Sequence, residues 1–103
     1  MLLLLAPGQG SQSPGLLAPW LSLPGAVECV ARWSALIDLD LVELGTTAPA
    51  DDVRRTEVAQ PLLTAAALLS GRALLGDERP DLVCGHSVGE LSALALAGVL
   101  TDD

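Results

Sequence analysis

The residues with the clearest capacity for chemistry lie in "VCGHSVGE", Val83 to Glu90, where a serine has a glycine two positions away on each side and the chain's one histidine beside it. Gly85-His86-Ser87-Val88-Gly89 fits G-x-S-x-G, the strand-to-helix turn that lifts a serine hydroxyl above a sheet for nucleophilic attack. The glycines answer a steric need, because strand and helix must pass closely on either side of the serine. A serine at such a turn can also be an ordinary helix N-cap. Ser87 is therefore the candidate nucleophile, with the N-cap role as the alternative.

A serine nucleophile needs an activator. His86 is adjacent in sequence, but a base must reach the serine oxygen at about 3 Å, and neighbouring side chains in a sharp turn point apart. The expectation for His86 is a local hydrogen bond and a place in the pocket floor. The chain has no second histidine and no lysine that could form a Ser-Lys dyad. The activator of Ser87 is thus expected outside these residues.

A second candidate region is "PGQGSQSPG", Pro7 to Gly15. Its glycines and prolines prevent a regular helix and leave backbone N–H groups free to face a ligand. It is not a dinucleotide fingerprint: position 13 is Ser where G-x-G-x-x-G needs glycine, and Pro14 and Pro19 interrupt the region where the helix should open. A phosphate loop of the G-x-x-x-x-G-K type is excluded by the lack of lysine. The loop can instead supply one backbone N–H, that of Gln9, to an oxyanion hole whose second donor is the N–H of Val88, the residue after the serine. A surface turn that only reverses the chain is the competing reading.

The elements that must position these residues follow from apolar patterning. Leu2 to Ala6 is an unbroken apolar run ended by Pro7-Gly8, and predicts a strand buried on both faces of a parallel sheet. After Pro24-Gly25, "AVECVARWSALI" predicts a helix with Val27, Val30, Ala31, Ser34 and Ile37 at helical spacing. Gly45 to Arg55 reads as a connection. Pro61 fits the first turn of a helix that runs to about Leu75 and stops at Gly76. "DLVC", Asp81 to Cys84, predicts a second strand and "ELSALALAG", Glu90 to about Gly98, a further helix. Strand, loop, helix, helix, strand, turn, helix is the order of an α/β layer architecture.

At 103 residues the chain fits one small domain. Without Phe, Tyr or Lys, its core must be built from Leu, Ala and Val. The net charge of −8 and five dispersed arginines offer no basic face, so neither nucleic acid nor an anionic membrane is an expected partner. "MLLLLA" lacks a basic n-region and is cut short by Pro7 and Gly8, so it reads as strand rather than signal peptide. No apolar run is expected to approach the roughly 18 residues of a spanning helix, because Arg72 and Gly98 break the two longest tracts. Cys29 and Cys84 form no CxxC pair and are expected as reduced packing residues in a cytosolic protein. No cofactor or metal site is expected.

Three segments taken together resemble the malonyl-CoA:acyl carrier protein transacylase family and the related acyltransferase domains of fatty-acid and polyketide synthases. They are "PGQGSQ" (Pro7 to Gln12), "TEVAQPLL" (Thr56 to Leu63) and "GHSVGELSALALAGVL" (Gly85 to Leu100). Their order and spacing agree with the family as well, so the resemblance covers essentially the whole chain. It implies an α/β-hydrolase-like core of parallel strands with a nucleophile elbow. In that core Ser87 takes a malonyl group from malonyl-CoA and passes it to the phosphopantetheine thiol of acyl carrier protein. It also implies an oxyanion hole from the N–H groups of Gln9 and Val88, with Gln60 of the A-Q-P segment supporting the site floor.

The family's catalytic histidine and its carboxylate-binding arginine lie after the elbow helix, and a ferredoxin-like subdomain belongs to the complete fold. Residues 1–103 are therefore expected to be the N-terminal part of a single acyltransferase catalytic domain, with an incomplete core, no ferredoxin-like subdomain and little activity alone. The implied partners are malonyl-CoA, acyl carrier protein and the missing C-terminal part of the enzyme. Acyl carrier proteins are acidic, so a segment at −8 should not form their docking surface. Open strand edges should leave the isolated chain marginally folded or aggregation-prone. The alternatives are a serine hydrolase or thioesterase that shares the elbow, and a non-catalytic remnant. "PGQGSQ" favours transfer over hydrolysis.

Overall fold

The computed structural model describes residues 2–103. The first apolar run forms strand β1 (Leu3–Ala6), which pairs in parallel with β2 (Leu82–Gly85), Leu3 lying opposite Leu82 and Ala6 opposite Gly85. A parallel pair requires a crossover. Here the crossover carries a 3-10 turn at Ala18–Trp20 and four helices, α1 (Ala26–Ile37), α2 (Leu41–Thr46), α3 (Ala50–Val53) and α4 (Thr56–Leu75). Helix α5 (Gly89–Leu96) follows β2. The α/β class is as expected, and α1, α5 and both strands lie within a residue or two of their predicted limits.

Helix α4 starts at Thr56, so Pro61 sits in its second turn rather than its first. The N–H that proline lacks would have bonded the carbonyl of Glu57, an exposed residue at the helix start where water can serve. The supposed connection 45–55 holds the end of α2 and all of α3. Asp40 starts α2 by accepting a hydrogen bond from the Glu43 N–H at 3.1 Å, an N-cap that ends the chain reversal after α1. Finally, α1 buries Ala26, Val30 and Trp33, whereas Val27, Ala31 and Ile37 of the expected face are exposed. Trp33 offers the largest apolar surface on the helix, and its burial rotates the inward face away from Val27.

Helix α4 is the centre of the core. It buries Val58, Leu62, Leu68, Leu69 and Leu75 against Leu17, Val30, Trp33 and Leu41 from the crossover and Leu96 from α5. Each such side chain contributes about 1.5–3 kcal/mol of transfer free energy. Gly71 lets α5 approach: a Cβ there would lie 2.7 Å from a Leu96 methyl. Contrary to the sequence expectation, α4 has the length and apolarity to cross a bilayer, with a mean hydropathy of 1.4, but half of that window is buried inside the chain as a core helix.

The end of the chain folds back on this helical layer. Arg72 makes a two-pronged ion pair with Asp102, 2.7 and 3.1 Å, and donates to the Ala95 carbonyl. The Asp102 hydrogen bonds raise the Arg72 pKa against the opposing effect of partial burial. Asp103 accepts from Arg32 at 2.8 Å and from the Trp33 indole at 3.2 Å.

The sheet is covered on one side only, which corrects the expectation of burial on both faces. Leu4, Ala6 and Gly85 face α5. Leu3, Leu5, Leu82 and Cys84 point the other way and are exposed, Leu5 by 72%. Cys84 is thus not the packing residue it was expected to be, while Cys29 does pack against the core. A second apolar face needs a second layer, and these residues supply only one.

Candidate active site

Ser87 stands where β2 gives way to α5, so strand, turn and helix follow in the order that G-x-S-x-G requires. The His86 N–H donates to the Ala6 carbonyl at 3.0 Å, extending the parallel ladder by one bond. The carbonyls of His86, Ser87 and Val88 then accept from Gly89, Glu90 and Leu91 at 3.0, 3.0 and 3.1 Å, which winds the chain directly into the helix. Ser87 itself is exposed and left-handed, with φ +57°. That conformation costs a non-glycine residue roughly 1–2 kcal/mol. Such strain persists only where surrounding bonds impose it, and it concentrates at functional sites.

The flanking glycines have defined steric reasons. A Cβ on Gly85 would run into the backbone of Gly89 and Glu90, and one on Gly89 into the carbonyl of Ala6, with the Pro7 oxygen 2.8 Å away. Strand β1, strand β2 and the start of α5 therefore meet at backbone distance.

His86 lies exposed against the first loop. A Cβ on Gly8 would be 2.6 Å from the His86 carbonyl oxygen and 2.7 Å from its Nδ1, so glycine is required there as well. Among the described residues the His86 imidazole makes none of the local hydrogen bonds expected of it; the bonds at this position are made by the backbone. Among the described residues its imidazole and the Ser87 hydroxyl are not hydrogen-bonded to each other.

The loop after β1 is held by polar side chains. Ser11 donates to the Gly8 carbonyl at 2.9 Å, and the Gly10 N–H donates to Gln12 Oε1 at 2.7 Å, with Gly10 at φ +114°. Gln9 Nε2 donates to Thr56 Oγ1 at 3.0 Å. Among the described residues, the backbone N–H groups of Gln9 and Val88 donate to no acceptor.

Gln60 lies one turn into α4, half-buried, and lines an open cavity of about 300 Å³ together with Val88, Leu91, Trp33 and Thr64. Gln60 and Val88 are thus brought to one cavity, and Gln9 is tied to the same helix one turn earlier. Sequence reasoning singled out Gln9, Gln60 and Val88, but not Trp33, Thr64 or Leu91 of the cavity, nor Thr56, whose only signal was its place at the head of "TEVAQPLL". Glu57 beside it has its carboxyl held below the ordinary carboxylate range, chiefly by its own backbone amide at the helix start and then by Arg55 at 2.6 Å. Among the described residues no group of three or more His, Cys, Asp or Glu could hold a metal ion.

No protein-family model matches the chain. Individual proteins do. The malonyl CoA-acyl carrier protein transacylase of Mycobacterium tuberculosis is 51% identical over 107 aligned residues, which cover 100% of this chain and 35% of that protein. The solved MCAT of Mycobacterium tuberculosis superposes with a TM-score of 0.88 at 51% identity, over 97% of this chain and 34% of the other. A malonyl-transacylase solved with its type II PKS acyl-carrier protein gives a TM-score of 0.86 at 35% identity, over 97% of this chain and 33% of the other. The chain spans about a third of the length of these proteins. By sequence and by fold, the whole of this chain is similar to malonyl CoA-acyl carrier protein transacylases over about a third of their length.

Proposed function

We propose that this chain supplies the nucleophile and the oxyanion hole of a malonyl transferase. Ser87 Oγ attacks the thioester carbonyl of malonyl-CoA, the C–O bond forms, and the C–S bond breaks to release the coenzyme thiol. The phosphopantetheine thiol of acyl carrier protein then attacks the serine ester, forms a new thioester and returns the proton to Ser87. In both steps the carbonyl oxygen becomes an oxyanion, which the N–H groups of Gln9 and Val88 stabilise.

The observation that carries the reading is the strained Ser87 at the strand-to-helix turn, with two backbone N–H groups uncommitted nearby in the chain's architecture. Gln60 and His86 shape the floor. The base that takes the Ser87 proton, and the group that receives the malonyl carboxylate, belong to the two-thirds of the relatives that this chain does not span. On this reading residues 1–103 are one piece of a single catalytic domain, an α/β-hydrolase-like core with a nucleophile elbow whose ferredoxin-like subdomain lies elsewhere, and the chain alone is inactive. The proposal includes a cytoplasmic location, in keeping with free Cys29 and Cys84. The net charge of −8 favours a carrier-protein docking site outside these residues.

The test combines the chain with the portion of the Mycobacterium tuberculosis relative that it does not span, then adds malonyl-CoA and acyl carrier protein. Malonylated carrier is the expected product. Free malonate without carrier labelling would favour a serine hydrolase, and no ester at Ser87 would favour a non-catalytic remnant.

A further inference from the structure

The two amides assigned to the oxyanion hole are fixed by unequal means. Val88 is set by its backbone, between His86 and Gly89, in a turn closed by successive hydrogen bonds. Gln9 sits between two glycines, Gly8 and Gly10, in a loop without regular structure. Gly8 is pinned by contact with His86, but a Cβ on Gly10 would meet nothing within 4 Å. The bond that ties Gln9 itself to the rest of the molecule is the one from its side-chain amide to Thr56 Oγ1, at 3.0 Å and across 47 residues of sequence.

Thr56 is the first residue of α4, and Gln60 lies four residues later. Positions four apart share a helix face. One face of α4 therefore brings Gln60 to the cavity shared with Val88 and presents the Thr56 oxygen to Gln9. The geometry points to Thr56 as a positioning residue: its oxygen holds the Gln9 side chain, and so fixes the Gln9 N–H where negative charge develops on the acyl carbonyl. The assignment rests on the acyl-transfer reading. Preorganisation gives it its effect, because a donor aligned before the reaction needs no reorganisation during it. The hydroxyl uses one lone pair for Gln9 and keeps its own O–H for solvent.

Thr56→Val removes the acceptor and keeps the shape, whereas Thr56→Ser keeps the acceptor. With the chain combined as above, single-turnover acylation of Ser87 by malonyl-CoA is followed alongside kcat and KM. Loss of a whole oxyanion donor costs about 10²–10³ in kcat. Loosening one through a solvent-exposed tether should cost less, on the order of 10-fold in acylation rate with KM unchanged, and Thr56→Ser should stay within about 2-fold of the parent. Equal rates for parent and Thr56→Val would overturn the assignment. So would an equal fall in both variants, or an effect confined to KM.

If the parent chain itself forms no ester, the acyl-transfer reading fails, and the NMR order parameter of the Gln9 amide tests the tether separately. A lower order parameter in Thr56→Val than in the parent and in Thr56→Ser supports it, and equal values in all three overturn it.

Discussion

The two strands end side by side, yet the chain leaves them in opposite ways. After β2 the turn is short and strained, and is set by backbone alone: Ser87 is left-handed, and Gly85 and Gly89 touch neighbouring main chain. After β1 the loop is long, rich in glycine and proline, and held by the side chains of Gln9, Ser11 and Gln12. The difference separates two tasks. On the proposed reading, the nucleophile must stand at one place, and crowded backbone gives it no alternative. A loop donor can be aligned by polar tethers, which are weaker and can be tuned one at a time.

The largest effect should come from filling backbone space at the elbow. Gly89→Ala puts a methyl against the Ala6 and Pro7 carbonyls, which belong to strand and loop backbone and cannot move aside as a side chain would. A loss of about 3 kcal/mol is expected, visible as collapse of the urea unfolding transition. The matching change in the loop is Gly10→Ala, where space is open but φ is +114°. Only the conformational cost applies there, about 1 kcal/mol. Equal losses at the two sites would break the contrast between crowded and tethered turns.

Ser87→Gly sharpens it from the other side. Relief of left-handed strain contributes about 1 kcal/mol, and the greater freedom of the unfolded chain removes about 0.5, so the variant should gain about 0.5 kcal/mol in the same unfolding experiment. Ser87→Ala keeps the strain and should gain nothing. Both lose the proposed acylation site.

A third contrast is between the two faces of the sheet. Leu3, Leu5, Leu82 and Cys84 form an exposed apolar face beside two unpaired strand edges, an arrangement that favours association. The parent chain is expected to elute as more than a monomer, and Leu5→Lys to shift elution towards monomer. A monomeric parent with a sharp thermal transition would contradict this.

The smallest effect concerns the start of α4. Because the Glu57 carboxyl is held below its ordinary value in the folded chain, it stabilises the fold above the ordinary carboxylate range. The contribution is lost as pH falls through the lowered value. Glu57→Gln should therefore weaken stability slightly at neutral pH and match the parent at low pH, when unfolding midpoints are compared across that range.

Much of this was legible in the residues because it is local. Glycines bracket Ser87 for reasons that short-range sterics dictate, and α1 and α5 follow from apolar spacing and good helix formers. Pro61 misled because it is a first-turn signal that also survives near an exposed helix start. The segment 41–53 holds two short helices that its Thr, Pro and Asp residues hid. The inward face of α1 was misjudged because Val27 and Ile37 look like core until Trp33 takes that place. The Gln9 to Thr56 bond joins residues 47 apart, and no local pattern announces it. Exposure of the outer sheet face depends on which layers are present, which strand patterning alone does not encode.

The most direct test of the central claim is to map the acyl group. The chain is incubated with malonyl-CoA and the complementary portion of the Mycobacterium tuberculosis relative, then digested and read by mass spectrometry. A malonyl ester on the peptide that carries Ser87, absent from Ser87→Ala, is the predicted result. A Ser87 peptide that stays unmodified while the complementary portion is folded and bound, or a malonyl group carried at another residue, would contradict it.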